Sequence, residues 1–270
     1  DRPALVHQPA DVLKDEFNGE ATASKLARVR EQMEKEEAQY HIISTLDDIA
    51  WILNVRGNDI PHVPVVLSFL VIGKEDAMWF VEENALSDAV KEMAAECGIT
   101  IRPYDDVYAY AATIPEHSTV LLDKRKVNYR ITNALSETVH IVSKANPSQL
   151  MKAIKNEIEL ENTRKAHLLD GIAVTKFMYW LKKNVGKIPM DEVSVSDYLQ
   201  SLREQMEGYR DISFDTIAGY NANAAMMHYK AEPDTAAKLE PQGMLLVDSG
   251  GHYDTGTTDI TRTFVLGPIS

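Results

Sequence analysis

The hydrophobic and polar positions change their period partway along the chain. Between residues 21 and 143, short apolar runs of strand length alternate with segments in which apolar residues recur every three or four positions. The spacing of Leu26, Val29 and Met33 is typical of an amphipathic helix and predicts one over residues 21–38. Strands that alternate with helices predict an α/β fold, here a mixed domain over residues 21–145.

The strands of this first predicted domain are apolar runs bounded by turn residues, and glycines mark two of the boundaries. Residues 73–76 read Gly-Lys-Glu-Asp and predict a hairpin, while Gly98 predicts the end of a helix over 85–97. A further helix is predicted over 47–53. The predicted strands are 40–44, 65–72, 77–81, 99–102, 119–122 and 138–142.

A second domain is predicted over residues 146–270, after a boundary at 145–148, and residues 1–20 are predicted to be a linker or tail. The helical period runs without interruption from 149 to 183. A capping box is predicted at Ser194, with Asp197 in the place of the usual glutamate, and opens a helix to about residue 208. The strands predicted after it are 215–218, 226–229, 244–247 and 260–266.

Composition excludes several classes of protein. Hydrophobic residues make up 44% and charged residues 26% of the 270 residues, as in a globular protein with a sizeable core. The net charge of −13 argues against nucleic-acid binding, which needs a basic surface. No apolar run is long enough to span a bilayer. The single cysteine, Cys97, cannot form an intrachain disulfide, which favours a reducing, cytoplasmic location.

The strongest candidate chemistry lies in the last predicted hairpin. The apolar strand 244–247 leads directly into Asp248, a glycine-rich turn follows, and Asp259 precedes the next strand. Two carboxylates at the facing ends of a hairpin can bind a divalent cation, which also relieves their mutual repulsion. The alternative is that both aspartates are solvated turn residues.

The position of the turn decides whether the two aspartates face each other. A turn centred between Tyr253 and Asp254 would make them direct cross-strand neighbours. Gly256 indicates a later turn, which would move them out of register, and a bulge at 250–251 could restore the facing arrangement. The spacing permits a shared metal site without requiring one.

The second candidate is His228, on the strand predicted over 226–229. A histidine there could donate a hydrogen bond or move a proton beside a metal-bound carbonyl. A lone histidine on an apolar strand is more often a hydrogen-bonded core residue.

Several motifs, in their order and spacing, resemble the aminopeptidase P family of the pita-bread superfamily, which also includes prolidase, creatinase and methionine aminopeptidase. Upstream, 49–59 resembles the middle domain of the three-domain form, and 152–157 resembles the first helix of the catalytic domain. The catalytic-domain motifs are Phe214-Asp215-Thr216-Ile217-Ala218-Gly219, Asn223-Ala224-Ala225 leading to His228-Tyr229, Val247-Asp248-Ser249-Gly250 and Gly256-Thr257-Thr258-Asp259-Ile260-Thr261-Arg262-Thr263.

The resemblance implies a fold, an activity and roles for particular residues. It implies a creatinase-like α/β middle domain followed by the first part of a pita-bread metallopeptidase domain. Asp248 and Asp259 match two metal ligands, His228 matches the catalytic histidine that contacts substrate, and Thr261 is a candidate to support a ligand. The implied cofactor is a pair of Mn²⁺ ions with a bridging hydroxide. The implied substrates are peptides with proline at position two, and the implied partner of the full-length protein is a second copy in a homodimer.

The family's remaining ligands, one histidine and two glutamates, match nothing in this sequence. The chain begins at Asp1 and its last predicted strand stops close to Ser270, so both ends predict a fragment of a longer protein. We therefore expect the chain alone to bind manganese weakly and to be inactive. Three alternatives remain: a prolidase-type dipeptidase, a creatinase-type hydrolase without metal, and a non-catalytic pita-bread module that binds peptides or proteins.

Overall fold

The computed structural model describes residues 5–269, which divide into two compact units at Ile158/Glu159. This division lies beyond the boundary that the sequence suggested at 145–148. The reason is local, because the segment after 145 is bonded to the first unit. Asn146 donates hydrogen bonds to Thr45 and Asp48, and Lys152 pairs with Asp48 at 3.3 Å.

The first unit alternates strands and helices, as the sequence predicted. Short 3-10 turns also occur at 83–85 and 104–106. In chain order its elements are β1 (Asp11–Val12), α1 (Asp15–Asn18), α2 (Thr22–Lys35), β2 (Tyr40–Ile43), α3 (Leu46–Leu53), β3 (Val55–Arg56), β4 (Ser68–Gly73), β5 (Ala77–Val81), α4 (Asp88–Glu96), β6 (Ile99–Arg102), α5 (Val107–Ala111), β7 (Thr119–Leu122), α6 (Tyr129–Ala134), β8 (His140–Ser143) and α7 (Pro147–Ala153).

A six-stranded mixed sheet, in the order β6-β5-β4-β2-β7-β8, forms the centre of this unit. Side chains of β4 alternate between its faces: Leu70 and Ile72 join one apolar cluster, and Phe69 and Val71 join the other. The first cluster includes residues of α2, α3 and α4, and the second includes residues of α5 and α6. Burial on both faces explains why the central strands β4 and β5 read as nearly continuous apolar runs.

The segment predicted as a linker is part of the folded unit from Ala10 onward. β1 pairs with β3, and Ala10 is buried and donates its N–H to the Ala85 carbonyl. Asn18 is also buried, and its side-chain amide donates to the Leu13 carbonyl. The polar composition of this stretch concealed its packing. Residues 1–4 of the predicted tail lie outside the described residues.

The second unit contains two long helices and, among its described residues, six strands. A 3-10 turn at Asn221–Ala225 follows β10. Its elements are α8 (Glu157–Asn184), α9 (Glu192–Arg203), β9 (Tyr209–Ile212), β10 (Ile217–Tyr220), β11 (Met244–Ser249), β12 (Gly251–Tyr253), β13 (Gly256–Thr257) and β14 (Ile260–Val265), with Asp191↔Lys238 as an isolated bridge.

Two helix predictions for this region need correction. The helical period from 149 to 183 covers two helices, α7 and α8, separated at 154–156. The capping box lies three residues earlier than predicted: Asp191 is the N-cap and accepts from the Ser194 N–H, while Ser194 accepts from the Asp191 N–H. An aspartate N-cap paired with a serine satisfies the same free N–H groups as the usual Ser/Glu box.

One face of the sheet β10-β11-β14 packs on the two helices and forms the core of the second unit. The opposite face carries Leu246, Asp248, Thr261 and Thr263, which are half-buried or exposed. No described helix is both long enough and apolar enough to cross a membrane. The buried core residues are Ala173, Phe177 and Leu181 of α8, Val195, Leu199 and Leu202 of α9, and Ala218, Leu245, Val247 and Phe264 of the sheet.

Candidate functional site

The two candidate aspartates lie on the same face of the sheet β10-β11-β14. Asp248 on β11 pairs with Thr261 on β14, and Asp259 directly precedes β14. Because side chains alternate along a strand, Asp259 is on the side of Thr261 and therefore on the side of Asp248. Diagonal neighbours of this kind have Cα atoms roughly 7–8 Å apart, within reach of a shared ion or a pair of ions.

The hairpin register explains this diagonal arrangement. β12 and β13 continue the pairing of β11 and β14, with Tyr253 opposite Gly256, so Asp254 and Thr255 form the turn. The turn is thus the later one that Gly256 indicated. No bulge at 250–251 restores direct pairing. Asp248 therefore pairs with Thr261, two residues beyond Asp259. Because side chains on a strand alternate with a period of two, this shift leaves Asp259 on the same sheet face as Asp248.

Glycine at position 250 is required for the hairpin to close. A Cβ atom built on Gly250 would lie 2.0 Å from the carbonyl oxygen of Thr258. Ser213 holds the same corner, since its N–H donates to the Gly250 carbonyl and its hydroxyl donates to the Thr258 carbonyl. The close approach brings together the two chain segments that carry the aspartates.

The surroundings of the aspartate pair fit part of a metal site. Asp248 is half-buried, and its Oδ1 accepts a hydrogen bond from the Thr261 hydroxyl at 2.7 Å, which orients the carboxylate. Asp259 is exposed, so its oxygens can reach a ligand from solvent. Carboxylate oxygens suit Mg²⁺, Mn²⁺ and similar hard cations. Within residues 5–269, no group of three or more His, Cys, Asp or Glu side chains that could hold a metal ion is assembled.

His228 is placed differently from the sequence prediction. Residues 226–229 form no strand; they follow the 3-10 turn, and His228 has a left-handed backbone with φ 55°. Its side chain is exposed and makes no hydrogen bond or ion pair within the described part of the chain. The apolar pair Met226-Met227 suggested a strand, but both residues are exposed. The alternative of a buried, hydrogen-bonded histidine is therefore also wrong.

The segment that carries His228 is held by a buried glutamate that the sequence analysis did not identify. Glu192, the first residue of α9, is 0% exposed. Its Oε1 accepts from the Tyr220 N–H at 2.7 Å, and its Oε2 accepts from the Ala237 N–H at 2.8 Å and from the Tyr229 hydroxyl at 2.7 Å. Asn223 donates to both oxygens, at 3.0 and 3.2 Å.

These contacts fix both ends of the loop and the residue next to His228. Burial, together with the hydrogen bond to Glu192 and its negative charge, raises the pKa of the Tyr229 phenol to about 12, so this hydroxyl remains a donor at neutral pH. Lys230 pairs with Asp215 at 3.1 Å just beyond it. His228 is therefore exposed at its side chain but constrained through its C-terminal neighbour. A glutamate at the first helical position gives no sequence signal that separates this role from ordinary helix capping.

Both units match models of known protein families. Residues 1–159 match the creatinase/prolidase N-terminal domain, and residues 161–270 match metallopeptidase family M24. The chain therefore belongs to the creatinase/prolidase class of M24 metallopeptidases, of which aminopeptidase P is a member.

Similar curated proteins carry Xaa-Pro aminopeptidase names. The chain is 38% identical to Xaa-Pro aminopeptidase 1 of Dictyostelium discoideum, over 94% of this chain and 41% of that protein. It is 35% identical to a probable Xaa-Pro aminopeptidase P of Neurospora crassa, over 98% of this chain and 40% of that protein. The chain thus spans less than half the length of these curated relatives.

Solved structures support the fold. The X-prolyl aminopeptidase of Caenorhabditis elegans, described as a cytosolic enzyme with a di-nuclear active site, superposes with a TM-score of 0.93 at 30% identity. That match covers all of this chain and 45% of the other. A prolidase of Pyrococcus horikoshii shares the fold at 21% identity, with a TM-score of 0.66 over 91% of this chain and 66% of that one.

Proposed function

We propose that the protein carrying this chain is a metal-dependent aminopeptidase that removes the N-terminal residue from peptides with proline at position two. The observation that carries the proposal is the placement of Asp248 and Asp259 on one sheet face, with Thr261 orienting Asp248. Relatives named Xaa-Pro aminopeptidases align over nearly the whole of this chain. The fold alone would not separate an enzyme from a binding module.

The metal proposed for this site is Mn²⁺, as two ions per complete active site. Asp248 and Asp259 would each contribute carboxylate oxygens to them, and Thr261 would hold the Asp248 carboxylate in one orientation through its hydroxyl. Such ions, when bound, activate a water molecule and polarise the scissile carbonyl. The requirement for further ligands follows from the incomplete set that residues 5–269 provide.

His228 is proposed to contact the substrate as a hydrogen-bond donor. Its exposed side chain is free to reach a bound peptide, and the Glu192–Tyr229 bond limits where the backbone can go. A donor aimed at a carbonyl oxygen stabilises the negative charge that develops there during hydrolysis. A bond to proline lacks an N–H on the leaving side, so recognition has to rely on other groups of the peptide.

Two further properties are proposed with the function. The protein acts in the cytosol, by analogy with the cytosolic enzyme of Caenorhabditis elegans. It also acts as a homodimer at full length. Neither property is needed for the chemistry at Asp248 and Asp259.

The test is hydrolysis of an Xaa-Pro-Xaa tripeptide and an Xaa-Pro dipeptide by the full-length natural protein with added Mn²⁺. We expect cleavage of the first bond of the tripeptide, loss of activity with a chelator, and recovery with Mn²⁺. Cleavage of the dipeptide alone would indicate a prolidase. Binding of either peptide without cleavage would indicate a binding module and would refute the catalytic assignment.

The 270-residue chain is a useful second sample in the same assay. We expect it to bind Mn²⁺ weakly and to show no turnover, because its aspartate pair supplies only part of a ligand set. Full occupancy by two metal ions in this chain would contradict that expectation.

A further inference from the structure

A fully buried ion pair lies beneath the hairpin that carries the two aspartates. Asp170 on α8 and Arg203 at the end of α9 are both 0% exposed. The Arg203 Nε donates to Asp170 Oδ1 at 2.5 Å, and its Nη2 donates to Oδ2 at 3.1 Å. A two-point contact of this kind fixes the direction of both side chains as well as their separation.

The pair bonds directly to the two residues adjacent to the candidate metal ligands. Arg203 Nη2 donates to the Ser249 hydroxyl at 3.1 Å, and Ser249 follows Asp248. The Thr258 hydroxyl donates to Asp170 Oδ2 at 2.8 Å, and Thr258 precedes Asp259. Ser249 and Thr258 are buried at 1% exposure, whereas the aspartates beside them face outward.

Two more bonds secure the hairpin between these positions. The Tyr253 hydroxyl donates to Asp170 Oδ1 at 3.1 Å, near the tip. At the open end of the hairpin, the Thr258 hydroxyl accepts a hydrogen bond from the Gly251 N–H at 2.9 Å and donates one to Asp170. The hairpin is therefore bonded to the helix pair at its start, its tip and its end.

We propose that Asp170 and Arg203 are positioning residues that set the spacing of the Asp248 and Asp259 carboxylates through Ser249 and Thr258. The inference rests on the proposed function, because it takes the two aspartates to be metal ligands. Each aspartate is the immediate sequence neighbour of a residue, Ser249 or Thr258, whose hydroxyl is hydrogen-bonded to the buried ion pair. Side chains that hold ligands in place are typically worth about 10- to 100-fold in metal affinity.

A purely structural role for the ion pair makes a different prediction. Removing either charge would leave the other buried and unpaired, and the protein could fail to fold for that reason alone. Variants at the hydroxyl links avoid this problem, because they leave the pair intact. Thr258→Val keeps the shape and removes the hydroxyl, while Thr258→Ser keeps the hydroxyl and serves as the matched control.

The experiment measures Mn²⁺ affinity by isothermal titration calorimetry, and thermal unfolding in parallel, on the full-length natural protein. We expect Thr258→Val to weaken Mn²⁺ binding about tenfold or more, in the range typical of ligand-supporting residues. Thr258→Ser should stay within a few-fold of the natural protein. Val195→Ala, a core truncation in α9 outside the polar network, should lower the unfolding temperature without weakening Mn²⁺ binding.

Asp248→Asn and Asp259→Asn, measured alongside, separate this inference from the proposed function. If they lose Mn²⁺ while Thr258→Val binds it like the natural protein, the positioning role is overturned and the proposed function stands. Equal losses in Thr258→Val and Thr258→Ser, or in Thr258→Val and Val195→Ala, would also overturn it. If the two aspartate variants bind Mn²⁺ normally, both proposals are overturned.

Discussion

Replacing Glu192 by glutamine tests how the segment carrying His228 is held. The change preserves size and shape but converts one carboxylate oxygen into an NH₂ group. Both oxygens of Glu192 accept a backbone N–H, from Tyr220 on one side and from Ala237 on the other. Whichever way the amide is turned, its NH₂ group opposes one of these donors.

The magnitude follows from the partners that are lost. One buried backbone N–H loses its acceptor, at a cost of about 1–3 kcal/mol, and the remaining hydrogen bonds lose the negative charge that strengthened them. We therefore expect Glu192→Gln to lower the free energy of unfolding of the second unit by about 2–4 kcal/mol. The loop between Tyr220 and Ala237 should loosen first, because both of its ends are bonded to this carboxylate.

Urea unfolding measures the first effect, and hydrogen exchange of residues 221–237 measures the second. Glu204→Gln is the matched control, since it makes the same change of charge at an exposed position that follows α9 directly. In the full-length protein, Glu192→Gln should also lower kcat/KM for an Xaa-Pro tripeptide. If both variants unfold within about 0.5 kcal/mol of the natural protein, as is usual for surface changes, the reasoning about Glu192 is refuted.

Three further predictions concern other parts of the molecule. Burial lowers the pKa of His41 from 6.5 to about 4, so the unfolded chain binds this proton more tightly than the folded chain does. The free energy of unfolding should therefore fall as the pH drops from 6.5 towards 4, by about 2 kcal/mol between pH 7 and 5. His41→Gln should remove that part of the pH dependence, measured by urea unfolding. Gly250→Ala would place a Cβ atom 2.0 Å from a backbone oxygen and should cost about 1–3 kcal/mol in thermal unfolding, whereas Gly171→Ala, in a helix with open space around the site, should be neutral or stabilising. Thr261→Val removes the hydroxyl bonded to Asp248 and should weaken Mn²⁺ binding measured by calorimetry, while Thr261→Ser should retain it; equal binding by both would contradict the role of Thr261.

The sequence predicted the strands of the six-stranded sheet well because burial there is simple, whereas it missed α1, β1 and β3. The strands 77–81, 99–102 and 119–122 were predicted with their observed bounds. An apolar run and its flanking turns define 77–81 and 119–122, which are almost wholly buried, while Gly98 marks the start of the half-exposed 99–102. Strands β9, β12 and β13 were not predicted, because they lack a clear apolar run or alternation.

The candidate site was predictable in part. The glycine-rich hairpin identified Asp248 and Asp259, and Gly256 indicated the position of the turn. The exposed turn at His228 could not be distinguished from a strand, because Met226 and Met227 look like core residues until the surrounding structure is known. At residues 226–229 the local preference for a strand is therefore not followed in the folded protein.

The Asp170–Arg203 pair left a signal that can be recognised afterwards. Asp170 lies on the buried stripe of α8, between Ala166 and Ala173, and Arg203 lies one turn after buried Leu199 in α9. A charged residue at a core position of each of two consecutive helices, with opposite signs, predicts a buried ion pair. Its bonds to Ser249 and Thr258 still required the structure, because they depend on how the hairpin packs.

We propose that Asp248 and Asp259 hold the catalytic metal, and asparagine variants of the two carboxylates provide the test. Bound Mn²⁺ and kcat/KM for an Xaa-Pro-Xaa tripeptide are determined for full-length Asp248→Asn, Asp259→Asn and Asp254→Asn. Asp254 is the matched control, since it lies in the same hairpin and pairs with exposed Arg210. We expect Asp248→Asn and Asp259→Asn to lose both Mn²⁺ and activity, while Asp254→Asn retains both. Retention of Mn²⁺ and activity by Asp248→Asn or Asp259→Asn would contradict it.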